Sequence, residues 1–129
     1  MKFKYPTFDS IVEFNKQEVT RSSEEFRVED EARLRNILED VRNQGEHLPA
    51  QDALIKKASF MLFRITLVQP FYEGNKRTAY VAAKAFLNAN GYSFKVLKDE
   101  IFEILEGIVF GRISLNHVET WIKERLIKL

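Results

Sequence analysis

An all-α fold, six helices in one compact domain, is what the sequence predicts, and three observations carry the expectation. Apolar residues recur at three- and four-residue spacing over most of the chain, cap and stop residues punctuate them, and no two β-rich runs are joined by tight hairpin chemistry. A length of 129 residues suits one core, and with no internal repeat or low-complexity tract the chain reads as a single domain over 1–129.

Taken in order, Thr7 to Val19 sets Phe8, Ile11, Val12 and Asn15 at helical spacing behind Thr7 or Asp9 as cap. From Glu29 to Gln44, Leu34, Ile37, Leu38 and Val41 fall at i, i+3, i+4 and i+7, with Gly45 as the stop. Residues Glu46 to Gln51, which include His47 and Pro49, break the pattern and are expected to form a short flap, with a small hairpin as one form of it. Asp52 is expected to cap a long central helix carrying Leu54, Ile55, Ala58, Met61, Leu62 and Ile65. Pro70 interrupts it, and the next helix begins near Gly74 or Asn75 and closes on Asn90-Gly91. Tyr92 to Val96 alternates too loosely to predict a strand. Asp99 and Ser114 are the expected caps of the last two helices, the second running to Arg125.

Composition narrows the function classes. Twenty basic against nineteen acidic residues, with no long run of either sign, give nucleic acid no electrostatic footprint, so neither DNA nor RNA is expected as a partner. The absence of cysteine rules out disulfides and thiolate chemistry and fits a reducing compartment, the cytoplasm being the simple expectation. Met1 to Pro6 lacks the apolar stretch of a secretory signal, and no apolar run approaches the ~18 residues of a membrane span.

Chemistry concentrates in Gln69-Pro70-Phe71-Tyr72-Glu73-Gly74-Asn75-Lys76-Arg77. A helix starting near Gly74 points its free N–H groups and the positive end of its dipole into this loop, which favours anions. Gly74 would permit close backbone approach to a phosphate, Asn75 could donate its amide, and Arg77 could grip phosphate oxygens with two parallel bonds. A carboxylate, Glu73, beside an anion site makes sense if Mg²⁺ bridges it to the phosphate. Arg64, Lys84, Glu103 and Glu106 have no spacing that demands chemistry and are read as solvated helix-face charges.

This segment resembles the Fic/Doc family motif, His-Pro-Phe-x-[Asp/Glu]-[Gly/Ala]-Asn-[Gly/Lys]-Arg, at every position but the first. The resemblance implies a compact six-helix Fic/Doc-type bundle that transfers AMP or phosphate from ATP to a protein hydroxyl. It further implies Glu73 as the Mg²⁺ ligand, and Phe71, Gly74, Asn75, Lys76 and Arg77 as the nucleotide-binding positions, with Phe71 also anchoring the loop in the core. Lys76 replaces the glycine usual in adenylylating members and resembles the Doc subgroup, which favours phosphotransfer, whereas Gly74 and Pro70-Phe71 resemble the Fic subgroup. Doc-like toxins are held by a small antitoxin protein, and the same arrangement is expected here.

Gln69 stands where the family has its catalytic histidine. An amide can orient a hydroxyl but cannot take its proton, and loss of a general base costs roughly 10²–10⁴-fold in rate. Either the residue was substituted to make a toxic protein producible, or the chain is a catalytically inactive Fic-like module that binds nucleotide or protein, or another base serves. His47 and His117 are the candidates for that last role; the resemblance separately implies Lys76, with Gln69, as a catalytic position. Thr20 to Glu24 approaches the family's inhibitory pattern [Ser/Thr]-x-x-x-Glu-x-x-[Gly/Asn], but Arg27 fills the final position, so no built-in inhibitor is expected.

Overall fold

The computed structural model describes residues 2–129, and Thr7 opens its first helix, α1 (Phe8–Arg21). The Thr7 hydroxyl accepts from the Ser10 amide at 3.1 Å while the Ser10 hydroxyl accepts from the Thr7 amide at 2.9 Å, satisfying two donors at once. Asp30 caps α2 (Glu31–Asn43) by accepting from the Arg33 amide at 3.0 Å. Helix α3 (Ala50–Val68) starts two residues earlier than Asp52. Pro49 has the fixed φ that suits a helix start and Ala50 and Gln51 are good helix formers, so Asp52 lies in the first turn instead of at the cap.

Helix α4 (Asn75–Ala89) follows the motif loop, and Gly91, at φ 88°, turns the chain at its end. Next come β1 (Tyr92–Phe94), α5 (Lys98–Val109), α6 (Leu115–Arg125) and β2 (Leu126–Lys128). Leu97 occupies the cap of α5 and Asp99 its first turn, whereas Ser114 caps α6 as expected, accepting from the His117 amide at 3.2 Å. The six helices are therefore all present, with one small sheet added. Strand β1 pairs antiparallel with β2, Tyr92 opposite Lys128 and Phe94 opposite Leu126. Its partner lies beyond two helices, which is why a local reading of Tyr92–Val96 found too little.

Glu46 to Gln51 is not a hairpin. Gln44 to His47 is a turn, the Leu48 amide donates to the Gly45 carbonyl at 3.0 Å, and Ala50 and Gln51 already belong to α3. Gly45 at φ 67° reverses the chain and Pro49 has no N–H for a ladder, so too few residues remain for two strands.

Helix α3 is central, packing against α2, α4, α5 and α6, while α1 lies against α4. Its Leu54, Ala58, Met61, Leu62 and Ile65 are fully buried, and even Lys57 is only 2% exposed. That charge is tolerated because its ammonium donates to the Arg42 carbonyl at the C-terminal end of α2 at 2.7 Å and lies over the Phe3 and Tyr5 rings. Phe94 meets Trp121 and Tyr80 edge-to-face, both at 5.7 Å between centroids, joining the sheet to α6 and α4. Arg125 grips Glu100 with Nε at 2.8 Å and Nη2 at 2.6 Å, and these hydrogen bonds hold the Glu100 carboxyl below the usual carboxylate range. No helix among the described residues is long and apolar enough to cross a membrane.

The α5–α6 corner is fixed by Gly107, where an added Cβ would lie 2.2 Å from Ile113 Cγ1. Helix propensity alone would make Gly107→Ala stabilising by about 1 kcal/mol. Overpacking is expected to win and to destabilise the protein by about 1–3 kcal/mol, read as a lower urea midpoint. A raised midpoint would show that the corner has slack.

Candidate active site

Gln69 closes α3 in the left-handed region, φ 55° and ψ 63°, with its amide donating to the Ile65 carbonyl at 3.0 Å and its side chain exposed. A non-glycine residue held there costs on the order of 1–3 kcal/mol, and such strain persists only where surrounding contacts enforce it. Those contacts are visible. The Pro70 carbonyl accepts from the Glu29 and Asp30 amides at 2.9 and 3.0 Å, the Tyr72 amide donates to the Arg27 carbonyl at 2.9 Å, and Val28 bridges Phe71 antiparallel. The extended strip laid along the motif loop is thus Arg27–Asp30, ahead of α2.

Three motif positions are engaged by the protein itself, Phe71 as the core anchor that was expected. Asn75 spends both polar atoms of its side chain on the loop itself: Oδ1 accepts from the Phe71 amide at 2.9 Å and Nδ2 donates to the Phe71 carbonyl at 2.8 Å. It shapes the cradle and keeps one N–H of its amide for a further acceptor. Phe71 is 2% exposed, so its ring anchors the loop and has no face left for a nucleotide. Gly74, at φ 76°, needs its freedom for the backbone turn and for α1, since an added Cβ would lie 2.9 Å from Val19 Cγ1 and 3.2 Å from Asn15 Nδ2.

Charge is the other departure. Arg77 Nη2 meets the Glu24 carboxylate and Nη1 the Ser22 hydroxyl, both at 2.5 Å, with the Glu18 carbonyl at 3.5 Å. This is the contact that the inhibitory pattern would make, in a chain whose sequence was expected to carry no built-in inhibitor. Glu24 reaches the motif arginine although Arg27 occupies the last position of the pattern, because the Arg27–Asp30 strip draws the Ser22–Glu24 turn across the start of α4. Lys76 pairs with Glu106 on α5 and lies 5.8 Å from the Phe102 ring centroid, so Glu106 is a paired charge and not the solvated one that its spacing predicts. Glu73 accepts the Glu25 amide at 2.9 Å through Oε2, leaving Oε1 without a protein hydrogen bond. The first-turn N–H groups of α4 have no carbonyl within their own helix and face the same loop.

Neither histidine is brought to the motif. His47 is exposed in the turn before α3, and His117 is exposed at the start of α6 on a cleft of about 480 Å³ shared with Phe102, Glu103, Glu106 and Arg112. No group of three or more His, Cys, Asp or Glu side chains suited to a metal occurs among the described residues. Magnesium, which keeps waters and binds through one or two carboxylates plus phosphate oxygens, fits Glu73 with its free oxygen without needing such a group.

Sequence reasoning overlooked Asn15 as anything but a helix-face residue. Fully buried, it sends Nδ2 to the Glu73 carbonyl at 2.8 Å and to Thr78 Oγ1 at 3.1 Å, while its Oδ1 has no protein partner. One available signal was its polarity among apolar positions of an amphipathic helix. The side chain ties α1 to both ends of the α4 start.

A family model described as Fic/DOC family covers residues 5–87, from before α1 through most of α4, including the whole motif. No curated protein matches the chain.

Asn15→Leu should cost about 1–3 kcal/mol by stranding the Glu73 carbonyl and the Thr78 hydroxyl. Amide exchange should also accelerate at Glu73, Gly74 and Thr78 ahead of the rest of the chain. Equal destabilisation without that local change would mean that Asn15 merely fills space.

Proposed function

The chain belongs to the Fic/DOC family, and from that premise we propose that it is a transferase moving phosphate or AMP from ATP to a hydroxyl of a target protein. We read it as the toxin of a cytoplasmic toxin–antitoxin pair. The observation that carries the reading is the convergence at one helix start of free N–H groups, two motif cations and a carboxylate with an open oxygen. These parts suit a phosphate chain and one hard cation.

In this reading Arg77 leaves Glu24 and closes on phosphate oxygens, Lys76 leaves Glu106 for the same charge, and the α4 N-terminus receives the remaining negative charge. Glu73 holds Mg²⁺, which when bound neutralises charge developing on the phosphate oxygens. The target's hydroxyl oxygen attacks phosphorus, and the bond to the leaving ADP or pyrophosphate breaks. Its proton needs an acceptor. Gln69 sits at the exposed edge of the loop, where its amide carbonyl can orient the hydroxyl but cannot take the proton, so the proton passes to water and the step is slow. Lys76 favours phosphate over AMP as the group transferred.

In this reading the turn from Ser22 to Glu24, which engages Arg77, keeps the resting site silent. An antitoxin protein would then act by keeping this turn closed. A second reading, an inactive module that binds nucleotide or a protein, is favoured by Gln69 alone.

Gln69→His/Glu24→Ala, compared with Glu24→Ala alone in cell extract with α- or γ-labelled ATP, should raise protein labelling by about 10²–10⁴-fold and arrest growth on expression. Transfer of the γ label identifies phosphorylation and transfer of the α label adenylylation. A folded, nucleotide-binding Gln69→His/Glu24→Ala variant that transfers neither label would replace the transferase reading with the binding module.

A further inference from the structure

We infer that Glu106 is a positioning residue for Lys76 that competes with phosphate for its ammonium, giving the motif a second internal lock set from α5. The inference rests on the phosphate-site reading above. Lys76 and Glu106 are thirty residues apart in sequence, yet their charged groups meet between α4 and α5. Their side chains are 36% and 24% exposed, so the pair is only partly screened by solvent. Phe102, four residues before Glu106 on the same helix, supports the Lys76 ammonium from its ring face. Two residues of one α5 face therefore hold Lys76.

Packing aims the carboxylate. Gly107, the next residue, lies against Ile113 too closely to admit a Cβ, which fixes the rotation of α5 and with it the direction of Glu106. A phosphate arriving at the start of α4 meets Lys76 already neutralised and a carboxylate of its own sign behind it. Binding must separate the pair, and the cleft shared by Glu106, Phe102, Glu103 and Arg112 gives the released carboxylate somewhere to turn. The lock is independent of the Ser22–Glu24 turn, because it acts on a different cation from a different element.

The test is a calorimetric titration of Mg-ATP into the wild type, Glu106→Gln, Glu103→Gln, Lys76→Ala and the Lys76→Ala/Glu106→Gln double variant. Glu106→Gln should bind about 2- to 5-fold more tightly, the range expected for releasing a partly exposed ion pair, and the gain should shrink as salt is raised. Glu103→Gln, which removes a charge from the same cleft without touching Lys76, should match the wild type. On the Lys76→Ala background the Glu106→Gln gain should vanish. Unchanged or weaker binding by Glu106→Gln, or a gain that survives without Lys76, overturns the inference while leaving the phosphate site intact. Failure of the folded wild type and of every variant to bind Mg-ATP overturns the phosphate-site reading and this inference with it.

Discussion

The turn from α3 into α4 keeps its shape because one side chain closes it. Asn75 returns both its amide atoms to the backbone of Phe71, four residues earlier, and so fixes the loop before any ligand arrives. Everything else at the site leans on that closure. Gly74 can then press against Val19, Asn15 can reach the Glu73 carbonyl, and Pro70 can accept two amides from the strip ahead of α2. The left-handed backbone of Gln69 is held in place by the same contacts. A preformed loop of this kind costs little reorganisation when charge is brought to it, which is the condition for useful electrostatics at a reacting phosphate.

Each charged motif side chain already has a partner, and the partners come from different parts of the chain. Glu24 and Ser22 hold Arg77, Glu106 holds Lys76, and the Glu25 amide holds one oxygen of Glu73. The arrangement solves a physical problem of the resting state, since cations gathered at the positive end of a helix dipole repel one another and the dipole unless compensated. An anion binding there, as proposed, would have to displace carboxylates instead of filling open space. Both locks are partly exposed ion pairs, weak enough to exchange.

Most of the fold was legible in the sequence because its signals are local. Thr7, Gly45, Gly91 and Ser114 stop or start helices through their own backbone and side-chain chemistry, and the structure uses each as expected. Asp52 and Asp99 misled because an acid in a first turn and an acid at a cap satisfy the same dipole, so sequence alone does not separate the two positions. The β1–β2 pairing joins segments separated by two helices and left only a loose alternation to read. At the motif, Glu73, Lys76 and Arg77 gather at the start of α4. The roles that were missed depend on tertiary neighbours: Asn75 turns inward to Phe71, Glu24 swings onto Arg77, and Asn15 and Glu106 arrive from α1 and α5.

The central claim is that Arg77 belongs to the anion site and is held from it by Glu24. The most direct measurement follows the Arg77 side-chain Nε–H signal by nuclear magnetic resonance while Mg-ATP is added to the wild type and to Glu24→Ala. The account predicts that the signal moves in Glu24→Ala at nucleotide concentrations that leave the wild-type signal in place. Identical titrations in the two proteins, or an Arg77 signal that stays fixed in Glu24→Ala while nucleotide binds, would contradict it.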